Sequence, residues 1–181
     1  MRTLYLCGAI NGCSDTQARE WREVVKDALC GVYTILDPMR RDYRGREVGC
    51  AGEIVEEDIS DISTCDVVLV AADRPSWGTA MEVRIAHTEL RKEVVTVCQS
   101  PSPSPWLVHH SSIIVLHLLA AIAHLRKTSG MTRGAMDSAH RRALLQSRGC
   151  CIECTSKPVG GGVRCQRHTD MHNARYYRGR T

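Results

Sequence analysis

The sequence predicts an α/β protein: a parallel, flavodoxin- or Rossmann-like sheet of about five strands with helices on both faces, followed by a small zinc-ribbon-like C-terminal module. Three observations lead there. Short apolar runs alternate with longer stretches of helical periodicity through the first 125 residues, which is the pattern of repeated strand-helix-strand units. Charge divides the chain: residues 1 to 125 carry 12 Lys and Arg against 17 Asp and Glu, a net −5, whereas residues 126 to 181 carry 12 against 3, a net +9. Cysteine divides it the same way, because Cys150, Cys151, Cys154 and Cys165 crowd together while the other six of the ten are scattered at no metal spacing.

The strands are expected at Thr3 to Cys7, Tyr33 to Leu36, Asp66 to Ala71, Val94 to Val97 and Ile113 to Leu116. Ser14 or Asp15 caps a first helix running through Leu29, with Ala18, Trp21, Val25, Ala28 and Leu29 as its apolar stripe. A second helix precedes the third strand, with Ile54, Val55, Ile59 and Ile62 at helical spacing. Pro75-Ser76-Trp77-Gly78 is a loop opening a further helix that holds Glu82 in its first turn. Ser100 to Pro105 alternates serine and proline, a stiff exposed segment able to reach a partner subunit. Ile113 to Leu125 is apolar, but its 13 residues include His117 and His124 and are too few to span a membrane. It reads as a strand end followed by a buried or interface helix.

With 181 residues and 43% hydrophobic content, the chain can bury one core of about 100 to 150 residues plus an appendage. The expected division is an α/β domain over 1–127, a linker and basic helix over 128–149, and the zinc-ribbon-like basic tail over 150–181. Leu4 to Ile10 is too short for a signal segment and reads as the first strand. The scattered cysteines Cys7, Cys13, Cys30, Cys50, Cys65 and Cys98 read as small reduced residues, which implies a cytoplasmic setting.

Two carboxylates carry the functional argument. Asp58 falls on the inward side of its helix, where an apolar surround favours the protonated form. Glu82 lies just past the third strand, in the region where open α/β sheets bind ligands. Each has a structural alternative. Thr79-Ala80-Met81-Glu82 fits a capping box that would only satisfy helix-start N–H groups, and Asp58 fits a salt-bridged group at the rim of the core. No Walker loop or GxGxxG occurs, so a bound phosphate would rest on backbone N–H groups near Gly8 and Gly78, the Ser76 hydroxyl and the helix start at Thr79. Arg74 and Arg84 lie nearby in sequence, and either could equally be a solvated surface arginine.

In the tail, Cys151-x2-Cys154 and Cys165-x2-His168 flank a glycine-rich turn and present two ligand pairs for a structural, tetrahedral Zn2+, with His172 able to replace His168. A loose, oxidation-prone tail is the alternative. Arginines and tyrosines interleave from Asn173 to Arg180, a composition that suits nucleic acid, solubility or oligomer contacts.

Leu4-Tyr5-Leu6-Cys7-Gly8-Ala9-Ile10-Asn11-Gly12, Asp37-Pro38 with Asp42-Tyr43-Arg44-Gly45, and the block from Asp58 to Glu82 together resemble the nucleoside 2-deoxyribosyltransferase family. The closer likeness is to its 2'-deoxynucleoside 5'-phosphate N-hydrolase branch, and it runs over about residues 3 to 125. The resemblance implies that Glu82 is the nucleophile and that Asp58 contacts base and sugar. It implies a first pocket loop from Tyr5, Ile10, Asn11 and Gly12. It also implies a phosphate-binding role for Ser76 beside Gly78, and a position for Asp42 where transferases have an amide that touches the base. Pro105-Trp106-Leu107 with His110-Ser111 resembles the segment that the family donates to a neighbouring subunit, so a homo-oligomer is implied, with Ser111 a substrate contact. No organic cofactor is implied.

The chemistry agrees with the residue types. A carboxylate beneath the sugar traps the positive charge that builds as an N-glycosidic bond breaks, forming a glycosyl-enzyme ester, and an acid of raised pKa assists the departing base. Resolution by water makes a hydrolase, and resolution by a second base makes a transferase. The alternative from another class is a non-catalytic adaptor that binds nucleotides or nucleic acid through the zinc tail.

Overall fold

In a computed structural model, residues 1–41 and 43–130 are described, and five strands form one parallel sheet in the order β2-β1-β3-β4-β5. The strands are β1 (Arg2–Gly8), β2 (Tyr33–Leu36), β3 (Val67–Ala71), β4 (Glu93–Val97) and β5 (Ile113–Val115). Each matches its expected run to within a residue or so at either end. β1 is central: Leu4 pairs with Ile35 on one side and with Val67 on the other. Because β1, β3 and β4 are covered on both faces, they read as continuous apolar runs, with Leu4 to Cys7, Val67 to Val70 and Val94 to Val95 essentially without exposure.

The helices are α1 (Asp15–Leu29), α2 (Ala51–Thr64), α3 (Trp77–Arg84), α4 (Pro105–His109) and α5 (Leu118–Thr128). α1 and α5 lie against one another on one face, and α2 and α3 against one another on the other. This division follows from the strand order. The chain steps one way from β1 to β2 and the other way from β3 onward, and right-handed crossovers place those two sets of helices on opposite faces. Residues 1–29 and 33–130 form one compact unit. α5 is fastened to the amino-terminal rim, where Arg2 donates to the Thr128 carbonyl (2.8 Å) and pairs with Glu93 (3.2 Å), and the Tyr33 hydroxyl donates to the Leu125 carbonyl (3.1 Å). No helix among the described residues is long and apolar enough to cross a membrane.

Two helix faces differ from the expected stripes. On α1 the buried positions are Ala18, Arg22, Val25 and Leu29, so an arginine occupies the centre of the inward face and Trp21 stands beside it, half-buried. On α2 only Asp61 and Ile62 are fully buried, whereas Val55 is 54% and Ile59 37% exposed. The inward side of α2 is acidic because Arg40 and Arg41 neutralise it. Arg40 reaches Asp61 at 2.7 Å, and Arg41 reaches Asp61 at 2.8 Å and Glu57 at 3.0 Å.

Asp42 and the candidate zinc ligands Cys151, Cys154, Cys165 and His168 lie outside the described residues, as do the basic helix and the Arg/Tyr run.

Candidate active site

All five strands point the same way, so the loops after β1, β2 and β3 leave the sheet on one rim. Between them is a cavity of about 380 Å³, within the range of small-molecule sites. Asp58 from α2 and Glu82 from α3 both line it, together with Gly8, Ile10, Asn11 and Gly12 after β1 and Ser76 and Gly78 before α3. Residues scattered over 75 positions of sequence thus meet in one hollow beside the point where the strand order reverses.

Each wall has a local cause. After β1, the Cys13 N–H donates to the Ile10 carbonyl (3.1 Å), closing a turn that Gly12 completes at φ +74°, a conformation that favours glycine. Arg74 donates to the Gly12 carbonyl at 2.8 Å and fixes this loop from outside. Ser14 and Gln17 then cap α1 reciprocally: the Gln17 N–H donates to the Ser14 hydroxyl (3.3 Å) and the Ser14 N–H to the Gln17 amide oxygen (3.0 Å). After β2, Asp37 accepts from the Met39 N–H (2.9 Å), starting a short 3₁₀ turn over Pro38–Arg40 that delivers Arg41 to the cavity.

At α3 the cap is Ser76, whose hydroxyl accepts from the Thr79 N–H at 3.5 Å. The helix therefore starts three residues earlier than a capping box at Thr79 requires. Glu82 is its sixth residue and not in the first turn, so its carboxylate is free to face the cavity.

The two carboxylates differ in surroundings. Glu82 is half-buried, and desolvation pushes its carboxyl up to about 7, against a downward pull from the Cys7 thiol and with a further upward push from the Asp58 charge. Asp58 is also raised by burial, but the Arg41 guanidinium, 2.5 Å away, opposes that rise. Tyr5 lies beneath both. It is fully buried, its hydroxyl lacks a hydrogen bond of ordinary geometry, and burial followed by the Glu82 charge drives its pKa far upward.

Most of the sequence-predicted residues come together here, and some do not. Tyr5 supports the floor without lining the cavity. Ser111 lies elsewhere in the protomer: its hydroxyl donates to the Leu107 carbonyl and shares a hydrogen bond with Thr96, each at 2.7 Å. Arg74 is committed to the loop after β1, and Arg84 pairs with Glu89 at 2.5 Å. Arg41, Arg19 and Arg44 line the cavity and were not anticipated. The signal for Arg41 was a doubled arginine just past a strand and facing a helix that carries Glu53, Glu56, Glu57, Asp58 and Asp61. Charge complementarity between those two segments would have found it. Among the described residues, no group of three His, Cys, Asp or Glu is placed to hold a metal.

An open, doubly wound α/β protein with two unlike carboxylates at its switch point belongs to the class that binds small molecules beyond the strand ends. The family model for nucleoside 2-deoxyribosyltransferase matches residues 4–160, and the chain belongs to that family, whose chemistry is glycosyl transfer on deoxynucleosides. The fold is similar to that of a 2-deoxyribosyltransferase from the psychrotolerant bacterium Bacillus psychrosaccharolyticus, with a TM-score of 0.53 at 11% identity, over 74% of this chain and 95% of that one. No curated protein matches the chain.

Proposed function

We propose that this protein breaks the N-glycosidic bond of 2'-deoxynucleoside 5'-monophosphates through a covalent glycosyl-Glu82 intermediate. The observation that carries this reading is that Glu82 and Asp58, on separate helices, face one cavity, where the Asp58 charge adds to the rise of the Glu82 carboxyl. Ionised Glu82 attacks C1' of the deoxyribose as the C1'–N bond breaks. The bonding pair leaves with the base, and the base nitrogen takes a proton from Asp58. Water or a second base then attacks C1', passing its proton to the Asp58 carboxylate as the C1'–O bond to Glu82 breaks and the Glu82 carboxylate is restored. Asp58 and its Arg41 partner contact base and sugar, and Ile10, Asn11 and Gly12 close over the ring. The Ser76 hydroxyl and the N–H groups at the start of α3 take the 5'-phosphate. A 5'-phosphate substrate is favoured by the serine at position 76, where transferases that act on free nucleosides resemble one another in carrying an acid.

The protein acts as a homo-oligomer in this reading. Trp106, 73% exposed on α4, and the segment through Ser111 belong to a neighbour's site. A structural zinc in the tail, held by Cys151, Cys154, Cys165 and His168, is proposed on spacing alone.

Chromatographic detection of free base from a panel of deoxynucleosides and their 5'-monophosphates, with and without an acceptor base, tests the reading. Base release from monophosphates without acceptor, lost in Glu82→Gln, is the expected result. Exchange only with acceptor would make the enzyme a transferase, and release undiminished in Glu82→Gln would remove the covalent mechanism.

A further inference from the structure

Arg22 is the largest fully buried side chain among the described residues. A cation without exposure is costly unless it is fully paired, and this one is held from several sides. Nη1 donates to the Ala18 carbonyl (2.5 Å) and Nη2 to the Gly8 carbonyl (2.9 Å). Nε lies 3.3 Å from Asp37 Oδ1, an ion pair without hydrogen-bond geometry, and the guanidinium carbon sits 4.4 Å from the Trp21 ring centre. Lys26 takes the other Asp37 oxygen at 2.6 Å.

Gly8 and Asp37 are where two walls of the cavity begin. Gly8 ends β1 and opens the loop carrying Ile10, Asn11 and Gly12. Asp37 ends the β2 segment and, through its hydrogen bond to the Met39 N–H, shapes the turn that carries Arg41 to Asp58. We propose that Arg22 is the positioning residue of this pocket, a buried guanidinium that clamps the end of β1 to the turn after β2 and presents its charge to Glu82 from the α1 side. The inference rests on the reading of Glu82 as nucleophile and goes beyond it by assigning what holds its two flanking loops in register, with the Arg22 charge also drawing the Glu82 carboxyl down against its burial.

The charged and titratable groups facing Glu82 are Cys7 and Tyr5 from β1, Arg22 from α1, Asp58 from α2 and Arg41 from the loop after β2. Of the two cations, Arg41 is already saturated by three carboxylates, whereas Arg22 has one partner acid that it shares with Lys26. Lysine cannot reproduce the clamp, because a single ammonium lacks the planar fork that reaches two carbonyls and a carboxylate together.

The test is a titration of the Glu82 carboxyl by 13C NMR in the full chain, its signal assigned by its absence in Glu82→Gln, alongside the pH dependence of kcat/KM for base release. In Arg22→Met the carboxyl midpoint is expected to rise by about one pH unit, with the acid limb of kcat/KM moving by the same amount. In Arg22→Lys, which keeps a cationic side chain at the site, the midpoint should stay near the wild-type value while kcat/KM falls about tenfold. A folded Arg22→Met protein with an unmoved Glu82 midpoint, or an Arg22→Lys protein with wild-type kcat/KM, overturns the proposal. The NMR arm needs no turnover, so a chain that releases no base at all defeats the functional reading while the titration still decides the role of Arg22.

Discussion

Arg41 Nη2 stands 2.5 Å from Asp58 Oδ1, and the same guanidinium reaches Asp61 and Glu57 on the next turns of α2. One cation from the loop after β2 thereby fixes the rotamer of a cavity carboxylate and opposes the rise in pKa that burial imposes on it. Removing it leaves three clustered acids repelling one another.

Arg41→Met should therefore raise the Asp58 pKa, lower kcat/KM for base release at least tenfold, and cost about 2 kcal/mol of stability. Urea unfolding at pH 5 and pH 8 checks the cause. The loss should be larger at pH 8, where the raised Asp58 carboxyl has lost its proton, and an equal loss at both values would point to lost packing instead.

Glu82 provides an opposed pair of effects. Its folded-state pKa is about 7 against an ordinary 4.5, so the native protein binds more protons than the unfolded chain in that window, and this group's contribution to stability declines as pH rises from about 4.5 to 7. Glu82→Gln should abolish turnover while raising Tm by about 3 °C at pH 8 and leaving it unchanged at pH 4. Differential scanning calorimetry at the two pH values is sufficient, and a variant less stable than wild type at pH 8 would contradict the upward shift.

The proposed mechanism ties the pH profile to the same midpoint: with ionised Glu82 as the attacking group, kcat/KM should fall tenfold per unit of pH below about 7. A flat profile down to pH 5 would mean that a different group attacks.

Ser76 has two tasks that can be separated. Ser76→Ala removes the α3 cap, costing about 1 kcal/mol. If the hydroxyl also holds phosphate, KM for 5'-monophosphates should rise at least tenfold while values for free deoxynucleosides barely change. Equal effects on both substrate sets would confine Ser76 to capping.

Gly8 is confined by its neighbours. A Cβ there would lie 2.9 Å from Trp21 Cζ2 and 3.4 Å from the Ala71 carbonyl oxygen, so Gly8→Ala should cost about 1 to 3 kcal/mol. Trp21→Leu in the same chain should recover part of that loss, and strict additivity in the double mutant would show that the clash lies elsewhere.

The five strands were legible because a parallel sheet covered on both faces leaves uninterrupted runs such as Val67 to Val70. The meeting of Glu82 with Asp58 was legible through local pattern and resemblance together. What sequence did not reveal was the charged interior. Arg22 and Arg41 look like surface residues, since an arginine's environment is decided by distant partners: Gly8 and Asp37 for one, three acids of α2 for the other. The same cause misplaced the α2 stripe. With Arg40 and Arg41 available as counter-ions, the inward side could be acidic, and Val55 and Ile59 turned out to solvent. Glu82 was set too near its helix start because Thr79 imitates a cap while Ser76 performs it.

The central place of β1 has a bearing on how the chain is made. This strand gains one neighbour when β2 appears, but its other edge is covered only by β3, whose last residue follows Gly8 by 63 positions. At about 5 to 20 residues per second, that edge of Leu4, Tyr5 and Leu6 waits about 3 to 13 s on the ribosome with its backbone N–H and C=O groups unmet. Neither carboxylate has a floor to stand on until then, so a nascent chain halted before residue 71 is an apolar strand seeking a partner, and that interval is when a chaperone would be of use.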